Sequence, residues 1–247
     1  MKNNLRILLA IASLALAALA CQAVAGGSAN TAVPADTVAP DVTTLPLPTQ
    51  PAASSSNSDV LLDDDFSAGR DQWGTGTDAD SAVEYVDNAL NIQIFKKNFV
   101  VWSYPNESDY GNVHMEVTVI NNGTDSNTAF GFKCDMQHPI TDSHYYFAVT
   151  AGGEYAIAKA SLALDDVFLT NNDQWAKSDA IAKNADSYHI GADCGNGKLT
   201  LYVDGKQIAS VDDATYTSGG IALFAWSSKD ATTTNVSFDD FKMTKLP

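Results

Sequence analysis

The sequence predicts an all-β domain over residues 59–247, a sandwich or jelly roll built from two antiparallel sheets. Three observations lead to this fold class. Short strand signals follow one another from Val60 to the end of the chain, and two hairpin dipeptides, Asn196-Gly197 and Asp204-Gly205, interrupt one of these runs. No long amphipathic helix pattern is visible, and only residues 161–183 could hold a short helical turn.

Thirteen strands are predicted from alternating polar and apolar residues and from the turns between them. They cover residues 60–66, 82–86, 89–95, 99–104, 112–120, 128–136, 144–151, 154–159, 187–194, 198–203, 206–211, 219–226 and 233–243. A further turn at Gly152-Gly153 predicts a hairpin in which Tyr155 shares a face with Tyr146.

The meander over residues 186–211 has a register that its two turns predict. The paired residues are Cys194 with Leu199, Ala192 with Leu201, Ile190 with Val203, and Leu201 with Ile208. All of them lie on one apolar face, because side chains alternate along a strand. The meander therefore turns Cys194 toward the interior.

The first 20 residues have the pattern of a secretory signal. Lys2 and Arg6 precede an apolar run over residues 7–20, which is too short for a comfortable transmembrane helix. The run ends at Leu19-Ala20-Cys21, which resembles the bacterial lipobox, although Ala18 stands where the box prefers Leu. We expect lipidation of Cys21 and anchoring at the outer face of the bacterial cell envelope. The alternative is an ordinary signal cleaved nearby, which would leave Cys21 as a free thiol.

Residues 21–58 are expected to form a disordered tether behind the lipidated cysteine. They contain five of the eight prolines and no aromatic or basic residue, so they cannot bury enough apolar surface to offset the entropy of ordering. The tether is either a spacer that lifts the domain from the membrane or a passive linker.

The chain is strongly acidic, which excludes some partners. Loss of residues 1–20 removes Lys2 and Arg6 and takes the formal charge from −16 to −18. A surface of this charge does not attract nucleic acid or anionic lipid. Membrane attachment would therefore come from acyl chains.

Cys134 and Cys194 are predicted to form a disulfide. Alternation places both side chains on inward faces, and an exported protein folds in an oxidising compartment. Closing a loop of about 60 residues would stabilise the fold by on the order of 4 kcal/mol. The alternative is two unpaired buried thiols.

The domain resembles the concanavalin A-like, laminin G-like jelly rolls of bacterial surface lipoproteins over roughly residues 60–245. The resemblance rests on Asp64 to Ser67 followed by Trp73, FVVWSY at 99–104, GFKCD at 131–135, YYFAVTAGGEYAIAK at 145–159, LTLYVDGKQIASV at 199–211, GGIALFAW at 219–226 and VSFDDF at 236–241. Relatives of this kind include carbohydrate-binding modules and hydrolases that act on 3-keto-glycosides. The resemblance therefore implies the fold and does not choose among these functions.

Catalytic patterns are sparse. None of the four glutamates, Glu84, Glu107, Glu116 and Glu154, stands in the alternating carboxylate motif of an endoglucanase. Glu116 with His114 on one strand face is the nearest acid/base pair, and solvated surface residues are the plainer interpretation. The sequence has no Gly-x-Ser-x-Gly elbow, no phosphate-binding glycine loop and no spaced Cys/His pairs of a zinc motif.

Structural calcium is a further expectation. Asp63, Asp64 and Asp65 open the first strand, and Asp239 and Asp240 lie in the last. Terminal strands of such jelly rolls run side by side, which would bring these carboxylates together and favour a hard dication. Alternatively, some of them point away into water.

Five aromatic residues are candidates for stacking on a sugar ring: Trp102, Tyr104, Tyr146, Tyr155 and Trp226. The alternative for each is a place in the core. The leading hypothesis is a noncatalytic, surface-tethered lipoprotein that recognises carbohydrate. The alternatives are a hydrolase of the 3-keto-glycoside type and a structural or adhesive envelope protein that binds another protein.

Overall fold

The computed structural model describes residues 59–67, 72–105, 108–137, 143–161, 164–231 and 233–247. The predicted signal segment, Cys21 and the tether lie outside the described residues. Among the described residues, no helix is long and apolar enough to span a membrane.

Sixteen strands make up the described part of the chain. They are β1 (Val60–Asp64), β2 (Gly76–Thr77), β3 (Ser81–Val86), β4 (Ala89–Ile94), β5 (Phe99–Ser103), β6 (Val113–Asn121), β7 (Ala129–Met136), β8 (His144–Thr150), β9 (Glu154–Ala160), β10 (Val167–Phe168), β11 (Ala176–Lys177), β12 (Ser187–Gly195), β13 (Lys198–Val203), β14 (Lys206–Asp212), β15 (Gly220–Ser227) and β16 (Thr234–Lys245). All thirteen predicted strands are present. The three that were not predicted, β2, β10 and β11, have two residues each, too few to show alternation.

The strands form two antiparallel sheets, which confirms the predicted jelly-roll sandwich. The first sheet has nine strands in the order β14-β13-β12-β6-β16-β4-β3-β2, with β1 paired to β16. The second has seven in the order β10-β9-β8-β7-β15-β5, with β11 paired to β9. The expected helical turn in 161–183 corresponds to one turn after β10, where the Gln174 N–H donates to the Thr170 carbonyl at 3.2 Å.

The core lies between the sheets and is filled by the inward residues of each strand. Val113, Met115 and Val117 of β6 are fully buried, as are Phe130 and Phe132 of β7. Their neighbours in sequence face outward, as the alternation predicts. Each sheet therefore has a second face whose side chains are available for other roles.

The predicted meander register is correct on β12 and β13. Cys194 lies opposite Leu199, Ala192 opposite Leu201 and Ile190 opposite Val203. Gly197 and Gly205 have φ of 69° and 71°, as two-residue turns require. The expected pairing of Leu201 with Ile208 is wrong: Leu201 lies opposite Ala209, because a bulge at Leu201/Tyr202 shifts the register of β14.

The predicted disulfide is present. Cys134 of β7 and Cys194 of β12 are bonded with their Cα atoms 6.6 Å apart, across a sequence separation of 60. Because β7 belongs to the second sheet and β12 to the first, the bond links the two layers of the sandwich. It constrains the unfolded chain more than it adds contacts to the folded one.

Candidate functional site

A groove of about 390 Å³ lies on the outer face of the second sheet. Six strands contribute side chains to it, and alternate residues of each strand face it, so it is a direct product of the strand register. Its lining residues are Val100 and Trp102 of β5, Phe224 and Trp226 of β15, Ala129 and Lys133 of β7, His144, Tyr146 and Ala148 of β8, Ala160 of β9, and Asp166, Phe168 and Trp175 from the segment that follows β9.

Small side chains form the floor of this groove and large rings form its sides. Ala129, Ala148 and Ala156 pack with Phe224 in an apolar cluster that is separate from the sandwich core. Rings from three strands and one loop pack around this cluster, namely Tyr146, Phe168, Trp175 and Trp226. An apolar concavity with a few polar groups is the usual form of a small-molecule site.

The polar groups of the groove are held in place by the rings. Lys133 is only 5% exposed, and its ammonium lies 4.0 Å from the centroid of the Trp102 ring. The Tyr146 hydroxyl donates to Asp166 Oδ2 at 3.1 Å. Burial, together with the nearby Asp166 carboxylate, raises the pKa of Tyr146 well above its usual range, so this hydroxyl stays protonated and can donate.

Three of the five predicted aromatic residues line the groove: Trp102, Tyr146 and Trp226. Tyr104 is 39% exposed but lies beyond the end of β5 and outside the lining. The prediction for Tyr155 is wrong. Tyr155 lies opposite Val149, which points inward, and it packs against the main core.

A register difference of one residue explains this error. A two-residue loop at Gly152-Gly153 would set Tyr155 opposite Thr150, whereas the observed pairing sets it opposite Val149. A shift by one residue moves a side chain to the other face of a sheet. Tyr155 therefore faces the core and Tyr146 faces the groove.

The sequence analysis missed the part of the site that follows β9. Phe168 and Trp175 pack in a tilted arrangement with ring centroids 5.9 Å apart. Strands β10 and β11, both paired to β9, hold this segment beside the groove. Strands of two residues leave no periodic signal. Trp175 in a polar loop was the one available clue, since a large ring in such a loop is unusual.

The predicted acid/base pair lies away from the groove. His114 and Glu116 are on the outer face of the first sheet, with His114 Nε2 3.2 Å from Glu116 Oε1. They therefore belong to a different surface from the aromatic rings.

The terminal strands run side by side as expected, with β1 antiparallel to β16. Asp64 is fully buried, and it accepts hydrogen bonds from the Phe66 N–H at 2.9 Å and from Trp73 Nε1 at 3.1 Å. The pKa of Asp239 is raised by burial and by the nearby carboxylates of Asp240 and Asp65. Asp63 lies opposite Lys242. Calcium at these carboxylates stays a prediction.

The fold is similar to that of several solved structures. Carbohydrate binding module CBM66 from Bacillus subtilis matches at 14% identity and a TM-score of 0.52, covering 70% of this chain and 96% of that chain. The chain has a concanavalin A-like jelly-roll fold. A Bacillus subtilis protein of unknown function with a galectin-like fold matches this jelly roll at 10% identity and a TM-score of 0.56, covering 76% of this chain and 96% of that chain.

A β-glucanase of Bacillus licheniformis also matches the jelly roll, at 11% identity and a TM-score of 0.50, covering 78% of this chain and 100% of that chain. No protein-family model matches the sequence. No curated protein shows significant similarity to it. These similarities concern the fold alone.

Proposed function

We propose that this protein is a noncatalytic carbohydrate-binding protein that holds a glycan in the groove of the second sheet. The main support for this proposal is a pair of indole rings, Trp102 and Trp226, on the adjacent strands β5 and β15. Trp102 lies opposite Phe224, and Trp226 lies opposite Val100, so the two indoles are diagonal neighbours on one face. Two flat rings on neighbouring strands, above a floor of alanines, offer apolar faces to the C–H surfaces of sugar rings.

The polar groups of the groove suit hydroxyl recognition. Lys133 is a donor, and the Tyr146 oxygen and the Asp166 carboxylate can each still accept a hydrogen bond beside the one between them. All three residues line the groove. Two of the similar structures are named as a carbohydrate binding module and a β-glucanase. These names support a carbohydrate-related role for this protein, and the aromatic groove is the surface on which a glycan would bind.

The lining favours binding over hydrolysis. Glycoside hydrolysis ordinarily uses two carboxyl groups on either side of the scissile bond. Among the described lining residues Asp166 is the single carboxylate, and it is engaged by Tyr146. Glu116 is on the other sheet.

Pull-down with insoluble polysaccharides and a glycan array test this function. We expect specific retention of the protein on one glycan class, and a loss of affinity of about tenfold or more for Trp226→Ala and Trp102→Ala, since each ring contributes at least about 1.4 kcal/mol. Tyr104→Ala is the matched control, because Tyr104 and Trp102 are 39% and 38% exposed and only Trp102 lines the groove.

Three results would decide against the proposal. Absence of binding to every glycan would reject it, and binding that survives both tryptophan substitutions would move the site elsewhere. Release of soluble sugars from the glycan would support the hydrolase alternative instead.

The protein is further proposed to be an exported lipoprotein anchored through Cys21. The support is the basic start, the apolar run and the Leu19-Ala20-Cys21 sequence. Growth of a bacterial host with an alkyne-labelled fatty acid should label the wild-type protein and leave Cys21→Ser unlabelled. Equal labelling of the two, or labelling of neither, would reject lipidation at this residue.

A further inference from the structure

A second cavity lies at one end of the sandwich, where strands of both sheets end. Its volume is about 280 Å³. Residues of β7 and β8 from one sheet and of β12 and β13 from the other line it, together with the segment that follows β14. Among the described residues, none lines both this cavity and the glycan groove. The cavity is slightly smaller than ordinary small-molecule sites, which measure roughly 300–1,000 Å³.

A β-bulge turns the Asp135 side chain into this cavity. Because Cys134 faces inward, alternation along β7 would turn Asp135 to the outer face. The pairing of β7 with β15 instead shifts between Gly220 and Ala222, and Asp135 adopts a φ of 48°. A carboxylate oxygen of Asp135 consequently lies within 4.8 Å of the sulfur atoms of Cys134 and Cys194. Bulges that re-aim a side chain in this way are common beside functional sites.

The Asp135 carboxyl group is buried without a partner. Asp135 is only 4% exposed, and within the described part of the chain no group donates a hydrogen bond to this carboxyl and no cation pairs with it. Burial alone raises its pKa, to about 6, so the group is ionised in most molecules above neutral pH. A buried charge of this kind costs stability, and carboxylates perturbed in this way are common at binding sites.

The lysines around the cavity are engaged by other carboxylates. Lys198 lines the cavity, but its Nζ lies 3.1 Å from Asp212 Oδ1 and its side chain is exposed. Lys159 Nζ lies 2.7 Å from Asp213 Oδ2 and offsets the charge of that lining residue. Among the described lining residues, Asp135 is therefore the carboxylate that lacks a counter-charge.

We propose that this cavity binds a small organic ammonium ion, with Asp135 as its counter-ion. A protonated amine supplies charged N–H donors to a carboxylate, and aromatic faces attract such cations. The rings of Tyr145 and Tyr216 line the cavity with their centroids 5.1 Å apart, and Leu199 adds apolar surface for the carbon chain of the ligand. A calcium ion would need about six to eight oxygen ligands, more than one free carboxylate supplies.

Close contacts fix the backbone that carries the Asp135 carboxylate. A Cβ atom at Gly219 would lie 2.5 Å from the carbonyl carbon of Asp135, so the bulge packs directly against the backbone of this glycine. Gln137 Nε2 donates to the Asp135 carbonyl at 2.8 Å. The site is therefore formed before a ligand enters, which lowers the cost of binding.

NMR titration of the ¹⁵N-labelled full chain with n-propylammonium chloride at pH 7.5 tests the site. Every sample carries Cys21→Ser, so that this thiol is neither acylated nor oxidised. We expect saturable shifts of the amide signals of Gly195, Asn196 and Gly219, with a Kd in the millimolar range. n-Propanol has the same carbon chain without the charge, and it should give no saturable shift; potassium chloride at equal concentration should give none either.

Asp135→Asn should weaken n-propylammonium binding by about tenfold or more, since it removes the counter-charge of a desolvated cation. Asparagine keeps the shape of the side chain, and the amide spectrum of the variant shows directly that the fold is retained. Asp166→Asn is the matched control, because it removes an exposed carboxylate from the glycan groove, and it should leave n-propylammonium binding unchanged.

Three results would overturn the proposal: shifts that do not saturate with n-propylammonium, equal shifts with n-propanol, or an affinity that Asp135→Asn leaves unchanged. Glycan retention separates this site from the proposed function. Asp135→Asn should be retained on glycan like the wild type, because the cavity and the groove have separate linings. Failure of the wild type to bind any glycan would reject the proposed function and would not alter its binding of n-propylammonium.

Discussion

Lys133 and Trp102 form a cation–π pair in the groove, with the ammonium 4.0 Å from the ring centroid. The two residues come from β7 and β5, which both pair with β15. The pair therefore spans β15, and the lysine packs against a ring proposed to contact sugar. In a chain with a formal charge of −16, it also places a positive charge within the groove.

Lys133→Met should weaken glycan binding by about 2- to 30-fold, because the Trp102 ring would lose a cation–π contact worth about 0.5–2 kcal/mol that holds it in the groove. Methionine keeps most of the apolar volume and removes the charge. Isothermal titration with the glycan identified by pull-down measures the change. Lys229→Met, an exposed lysine outside the lining, is the control. Equal affinities for Lys133→Met and the wild type would show that the ammonium has no role.

Asp64→Ala should lower the free energy of unfolding by about 3 kcal/mol, since each buried donor left without a partner costs about 1–3 kcal/mol. The donors are the Phe66 N–H and Trp73 Nε1. Urea denaturation followed by tryptophan fluorescence measures the change. Asp109→Ala, at an exposed position, should alter the stability by less than about 0.5 kcal/mol. If Asp64→Ala and Asp109→Ala changed the stability equally, the hydrogen bonds that Asp64 accepts would not stabilise the fold.

Replacement of both Cys134 and Cys194 by alanine should lower the free energy of unfolding by about 4 kcal/mol, from the entropy of a loop of this length. The loop that the bond closes has a sequence separation of 60. Urea denaturation of the double variant measures the loss. Cys21→Ser should leave the stability unchanged. A double variant as stable as the wild type would show that the bond adds nothing to the fold.

Asp135→Asn should stabilise the protein at neutral pH. Burial raises the pKa of Asp135 to about 6 from 3.8, so the folded state favours the protonated carboxyl. The contribution of Asp135 to stability is therefore greatest below pH 4, is lost as the pH rises from 4 to 6, and stays absent above 6. The gain from Asn should be on the order of 3 kcal/mol above pH 6 and vanish below pH 4.

Asparagine suits this position because the φ of Asp135 is 48°, and Asn tolerates the left-handed region. Urea denaturation of both proteins at pH 3.5, 5 and 7.5 checks the trend. A stability difference that does not change with pH would contradict an ionisable origin.

Calcium should raise the melting temperature if the terminal carboxylates bind it, because a ligand of the folded state stabilises that state by mass action. Thermal unfolding in the presence of Ca²⁺ and of EDTA measures the shift. Asp239→Asn should reduce it, since Asp239 is partly buried beside Asp65 and Asp240. Identical melting temperatures in the two conditions would remove the calcium prediction.

Local patterns in the sequence were enough to predict most of the sandwich. Alternation along β6 separates Met115 from His114 without any knowledge of neighbouring strands. Asn196-Gly197 specifies the pairing of β12 with β13, because a two-residue turn leaves one register. The disulfide followed from two inward faces and an expected oxidising compartment.

The candidate site was predicted in part. Trp102, Tyr146 and Trp226 were named because they are large rings in predicted strands, whereas Lys133 and Trp175 were missed. The position of Trp175 depends on how β10 and β11 pair with β9, and two-residue strands carry no periodic signal. Tyr155 was misplaced because the loop after β8 is one residue longer than its glycine pair suggests.

The sequence by itself determined thirteen of the sixteen described strands, the register of β12 with β13, the inward cysteines and the all-β fold class, because each depends on residues close together in the chain. The tertiary structure decided which outer faces became sites. It collected the rings of the groove from four strands and a loop, and it placed the predicted acid/base pair of His114 and Glu116 on the other sheet. These relations depend on the order of strands in each sheet, which local alternation does not encode.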